Sequence, residues 1–184
     1  MQRRKLKVVA ASLAAACLVG VGAVALADTG GRNLKERLSG FEEVPALSTP
    51  GVGEFRASIN RSGEIRWELT FSGMETPVTQ AHIHFENETN NGPVVVFFCS
   101  NLGNGPAGTQ ACPAAGGTIT GTITAADVGA GGAAQGLAAG ELAELVSAIR
   151  AGATYVNVHT VARPGGEIRA QLGDAGHHGG HDDG

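Results

Sequence analysis

Glu54-Phe55-Arg56-Ala57-Ser58-Ile59-Asn60-Arg61-Ser62-Gly63-Glu64-Ile65-Arg66-Trp67-Glu68-Leu69-Thr70-Phe71 is the stretch that decides the fold. Successive side chains of a strand point to opposite faces. Apolar residues fill every second place on both sides of Asn60-Arg61-Ser62-Gly63, which supplies turn chemistry. The pattern predicts a β-hairpin with Phe55, Ile59, Ile65, Trp67, Leu69 and Phe71 on a common core side and Arg66 in water.

The same reading extends along the chain. Thr79 to Glu86 alternates, Pro93 to Phe98 is an apolar run of strand length, and Thr118 to Thr124 alternates again. Tyr155–Thr160 and Glu167–Leu172 flank Arg163-Pro164-Gly165-Gly166, a second hairpin connection. One segment departs from period two: Leu142, Leu145, Val146 and Ile149 follow helical spacing, and Gly152 stops that helix just after Arg150. The glycine-rich 129–134 segment reads as a flexible insert before it. About eight strands and one short helix predict an all-β fold, an antiparallel Greek-key β-sandwich of immunoglobulin-like or superoxide-dismutase-like type.

Residues 1–27 carry Arg3, Arg4, Lys5 and Lys7 ahead of an uncharged Ala/Val/Leu run, and Ala25-Leu26-Ala27 precedes Asp28 as an A-x-A-type cleavage site. A secretory signal peptide is the expectation. The alternatives are a retained membrane anchor and lipidation at Cys17. Residues 28–34 read as a linker, 35–173 as the folded domain, and 174–184 as a flexible His/Gly/Asp tail whose His177, His178 and His181 offer a loose metal trap. Removing the leader leaves nine basic residues against 17 acidic ones, a balance of −8. That charge excludes a nucleic-acid footprint and a basic membrane patch, and no second apolar span follows. Cys99 and Cys112 remain, and an oxidising compartment pairs two thiols so close in sequence. Their spacing is not C-x-x-C, so a structural disulfide outweighs a redox role.

The chemistry concentrates in histidines. Ala81-His82-Ile83-His84-Phe85 sends two imidazoles to one strand face, with Cα atoms ~6.6 Å apart. His159, in Tyr155-Val156-Asn157-Val158-His159-Thr160, offers a third. Three imidazoles suit copper or zinc and leave a coordination position open. Asn157, Glu167 and Arg169 are candidates for orienting those rings through hydrogen bonds. The competing reading makes the histidines a structural polar cluster that holds strands in register; acid-base catalysis is a third. A hydrolytic triad has little support, since Asp127 is the only aspartate between Thr29 and Leu172. No phosphate loop occurs, and Glu42 and Glu43, adjacent on a strand, make a poor acid-base pair.

Five blocks in order carry a family resemblance: Leu38-Ser39-Gly40-Phe41-Glu42-Glu43-Val44-Pro45, Ala81-His82-Ile83-His84, Gly92-Pro93-Val94-Val95-Val96, Tyr155 to Thr160, and Pro164 to Leu172. Together they resemble the CHRD domain, named for chordin and widespread in secreted bacterial proteins. The resemblance implies an extracellular β-domain without a defined activity. Chordin's cysteine-rich, growth-factor-binding modules have no counterpart here. A weaker likeness is to copper-zinc superoxide dismutases, Greek-key sandwiches whose copper ligands include a His-x-His strand pair and a later strand histidine. Cys99 to Gly117 holds neither histidine nor aspartate, so only a mononuclear copper-like site carries over. The resulting expectation is a secreted binding module for an unidentified extracellular partner, with a copper or zinc site at His82, His84 and His159 and no catalytic residue assigned. Its alternatives are a copper-dependent oxidoreductase and a metal-independent adhesion or matrix module.

Overall fold

The computed structural model describes residues 32–173; the leader and tail readings, 1–27 and 174–184, lie outside them. Eight strands form among the described residues: β1 (Arg32–Ser39), β2 (Val52–Ile59), β3 (Ile65–Ser72), β4 (Val78–Phe85), β5 (Val94–Ser100), β6 (Gly117–Ile123), β7 (Thr154–Thr160) and β8 (Ile168–Leu172). The single α-helix among the described residues, α1, spans Leu142–Arg150. The all-β architecture with one short inserted helix is therefore as the sequence predicts. The 28–34 stretch holds the start of β1, whose Leu34 and Leu38 are buried.

All pairings are antiparallel, in the order β5-β4-β7-β8-β1-β2-β3-β6. The expected two layers are thus halves of one continuous sheet, joined where Ser39 of β1 meets Arg169 of β8. The sheet curls until its end strands β5 and β6 lie beside each other, a nearly closed barrel. β6 pairs with β3 instead of its predecessor β5, which makes the connection a Greek key. The Cys99–Cys112 disulfide, sulfurs 2.07 Å apart, ties the end of β5 to the segment entering β6.

The hairpin phase holds residue by residue. Phe55, Ile59, Ile65, Leu69 and Phe71 are at most 2% exposed, and β3 alternates buried and exposed throughout. Across the interior, Phe98 of β5 meets Phe55 at 5.4 Å and Trp67 at 4.4 Å between ring centroids. Gly121 of β6 belongs to the same packing, because a Cβ there would stand 2.6 Å from Trp67 Cζ2. The 129–134 segment differs from the mobile insert expected. It enters a 3-10 turn, Ala130–Gln135, and the Gly129 N–H donates to the Val95 carbonyl, which binds it to β5.

Candidate metal centre

The two faces of β4, β7 and β8 have opposite chemistry. Ala81, Ile83, Val156, Val158, Ile168, Ala170 and Leu172 enter the hydrophobic core. The other face carries His82 and His84 from β4, Tyr155, Asn157 and His159 from β7, and Arg169 and Gln171 from β8. Register sets them side by side: His82 opposes Asn157, His84 opposes Tyr155, and Arg169 opposes Asn157 from the far side. Polar side chains on a sheet's outer face normally meet water. Here His82, His84, Asn157, His159 and Arg169 are 1–7% exposed.

Three segments form the roof. Arg169 donates from Nη1 to the Asn90 carbonyl at 3.1 Å and from Nη2 to the Asn87 carbonyl at 3.0 Å, holding the loop between β4 and β5. The Asn91 amide donates to the Val44 carbonyl at 2.8 Å, joining that loop to the segment after β1. The β7–β8 turn supplies Pro164, whose carbonyl accepts from His159 Nδ1 at 3.0 Å.

These contacts fix the imidazole protons. A carbonyl oxygen only accepts, so His159 carries its proton on Nδ1 and presents a bare Nε2. His84 does likewise, its Nδ1 donating to the Gly92 carbonyl at 2.9 Å. Tyr155 steadies that arrangement: its ring stacks on His84 at 4.7 Å and its hydroxyl accepts from Gly92 N at 3.1 Å. The Arg169 guanidinium sits 3.5 Å from the Tyr155 ring centroid. His82 Nδ1 lies 3.2 Å from His159 Nε2, and since that nitrogen is bare, His82 donates. The Nε2 atoms of His82 and His84 are buried without a hydrogen-bond partner.

Each of the three histidines offers a ligand atom, and the three atoms lie within 4.8 Å of one another. Two ligands on a tetrahedral zinc stand about 3.3 Å apart, given Zn–N bonds of 2.0–2.1 Å. The His82–His159 separation of 3.2 Å already matches that spacing. Burial drives all three pKa values down, because the positive form loses hydration. His82 falls to about 2, with His159 and His84 adding repulsion, and His84 and His159 each fall to about 4. The rings are therefore neutral at neutral pH, the state that ligates a cation.

The residues expected to orient the rings divide. Arg169 works through the loop it holds, which presents the Gly92 carbonyl to His84. Asn157 donates from Nδ2 to Glu43 Oε1 at 2.7 Å, while its Oδ1 is buried without a partner. Glu167 is fully buried, and its oxygens accept from Thr49 Oγ1 at 2.7 Å, Glu75 N at 2.9 Å and Thr160 Oγ1 at 2.6 Å. None of those partners is a histidine. The ring-orienting groups that sequence reading missed are the Gly92 and Pro164 carbonyls, which have no side-chain signature. Glu43 was missed too, set aside as half of an adjacent carboxylate pair. Burial raises its pKa to about 7 against the opposing pull of Arg169 and Asn157.

Fold and site together define a Greek-key β-domain with three neutral, buried imidazoles gathered on its roofed outer face. A family model for the CHRD domain matches residues 34–172, most of the chain, and the protein belongs to that family. No curated protein and no solved structure matches it. Among the described residues no helix is long and apolar enough to cross a membrane.

Proposed function

We propose that this CHRD domain is an extracellular binding module that holds a single copper or zinc ion through His82, His84 and His159. The observation that carries the reading is the convergence of three neutral imidazoles, two of them locked by backbone carbonyls with their Nε2 atoms bare. Structural histidines normally spend both ring nitrogens on hydrogen bonds, whereas two of these leave a buried nitrogen unpaired. Export by the 1–27 leader, with the mature chain beginning at Asp28, and the Cys99–Cys112 bond both suit an oxidising location.

The test is titration calorimetry with Cu(II) and Zn(II) on the exported chain carrying His177→Ala, His178→Ala and His181→Ala, so that the tail cannot imitate the site. One ion should bind per chain. Each of His82→Ala, His84→Ala and His159→Ala should weaken binding by more than the ~10–100-fold expected of a residue outside the coordination sphere. Glu167→Gln should leave affinity nearly unchanged. Absence of binding in the parent would return the histidines to a structural role and favour a metal-independent adhesion module. Superoxide turnover by the loaded protein would make the site an oxidoreductase centre instead.

A further inference from the structure

On the half of the barrel away from the histidines, β1, β2, β3 and β6 pair in continuous register. Leu34, Ala57, Trp67 and Gly121 oppose one another in a single cross-strand row. The side chains of Leu34, Ala57 and Trp67 turn into the core, so on the outer face this row shows backbone alone. The two flanking rows point the other way and stand up as walls. One wall carries Lys35, Arg56, Glu68 and Thr120; the other carries Asn33, Ser58, Arg66 and Thr122. All but the half-buried Ser58 are exposed. Between them runs a groove of about 790 Å³. Two residues along a strand and three strand spacings across the sheet make it ~7 Å wide and ~14 Å long at the level of the Cα atoms.

The walls hold Lys35, Arg56 and Arg66 against the single carboxylate of Glu68, in a chain whose balance after the leader is −8. Glu54, one row further along, braces Lys35 at 3.4 Å and Arg56 through its Nε. Exposed pairs of this kind are weak, so an incoming carboxylate can share both cations. Arg66 makes no ion pair among the described residues.

We infer that this groove binds a linear acidic polysaccharide, a chain of sugar rings that carries carboxylates. Lys35, Arg56 and Arg66 meet the carboxylates, while the amide of Asn33 and the hydroxyls of Ser58, Thr120 and Thr122 donate to and accept from the sugar hydroxyls. An acidic peptide gains less here. The floor's backbone groups are spent in the sheet ladder, and strand addition needs a free edge. A single-stranded nucleic acid lacks a stacking platform, because Trp67 holds its ring in the interior, 4.4 Å from that of Phe98. The groove shares no residue with the histidine face of β4, β7 and β8, so its ligand needs no metal; only the extracellular setting is taken from the proposed function.

The experiment is 15N–1H correlation spectroscopy of the exported protein titrated with tetragalacturonate at low salt, with the methyl-esterified tetrasaccharide and tetraglutamate as comparators. Shifts should centre on the amides of Leu34, Ala57, Trp67 and Gly121, persist in the presence of chelator and fade as salt rises. Arg56→Gln and Arg66→Gln should each weaken binding roughly 2–5-fold, the size expected of one exposed charge pair. Glu68→Gln should strengthen binding by a similar factor, a gain that hydroxyl contacts alone would not give. All three side chains face water, so the variants keep the fold. Absence of shifts at the floor amides, or equal shifts with the methyl ester, overturns the inference and leaves the metal site untouched. Tighter binding of tetraglutamate overturns it in favour of an acidic peptide. Binding that disappears with chelator, or that moves to the amides of His82 and His159, assigns the ligand to the metal site and overturns the groove.

Discussion

Acidification of the metal-free protein should destabilise it steeply, and the three histidines set the size of the effect. Unfolded, each imidazole titrates near 6.5. Folded, the values are about 2 for His82 and about 4 for His84 and His159. Below pH 6.5 the unfolded chain binds protons that the folded chain refuses, so stability is present above that pH and is lost as pH falls. Between pH 7.5 and 5.5 each histidine costs roughly 1.3 kcal/mol, about 4 kcal/mol for the three. Glu43 acts in the opposite direction. Its folded pKa of about 7 lies above its ordinary 4.5, so the folded state takes up a proton in this range and regains about 2 kcal/mol. The histidines win, and the net loss is about 2 kcal/mol, a large fraction of the 5–15 kcal/mol typical of a domain. Urea unfolding at the two pH values, with chelator present, measures it. Glu43→Gln removes the compensating proton and should roughly double the loss. A stability that is flat or higher at pH 5.5 in the parent would refute the claim that the imidazoles are held neutral by burial.

Trp67→Ala should cost ~3–5 kcal/mol by emptying the space against Phe98, while Arg66→Ala on the same strand should change stability by less than about 0.5 kcal/mol; thermal melts of the two variants compare them directly. Reducing the Cys99–Cys112 bond frees a closed loop and should lower unfolding free energy by about 3 kcal/mol in the chain-entropy model, read from urea curves with and without reductant. Gly121→Ala should cost about 1–3 kcal/mol, because its Cβ enters the Trp67 ring, with Trp fluorescence reporting the displaced indole.

Strand phase was legible because period two is a local property. Once Phe55, Ile65, Trp67, Leu69 and Phe71 share a side, a hairpin follows without knowledge of the rest of the chain. β1 escaped notice for the complementary reason. Its Arg32-Asn33-Leu34-Lys35-Glu36-Arg37-Leu38-Ser39 shows only two apolar residues, four apart, and it becomes a strand because β2 and β8 flank it. Curling of the sheet into one near-barrel was equally out of reach, since it depends on which distant strands pair. The 129–134 segment has a loop's composition, and its attachment to the Val95 carbonyl is a tertiary event.

The site divides along the same line, and the division says where its specificity resides. His-x-His spacing is local and marks two candidate imidazoles, but bringing the third beside them depends on β7 lying against β4, where His82 and His159 meet although they are 77 positions apart. The second layer is less legible still. Gly92 and Pro164 act through carbonyls that any residue possesses, so the sequence records them only as turn formers. Glu43 resembles a solvated loop carboxylate until the fold buries it against Asn157. Because the imidazoles come from regular strands and their proton positions from loops, the proposed metal site predicts that mutations in the roof alter metal affinity without unfolding the barrel. Arg169 is the exception that shows why: it belongs to β8 yet holds the roof through the Asn87 and Asn90 carbonyls, so its loss should loosen the loop and the His84 tautomer together.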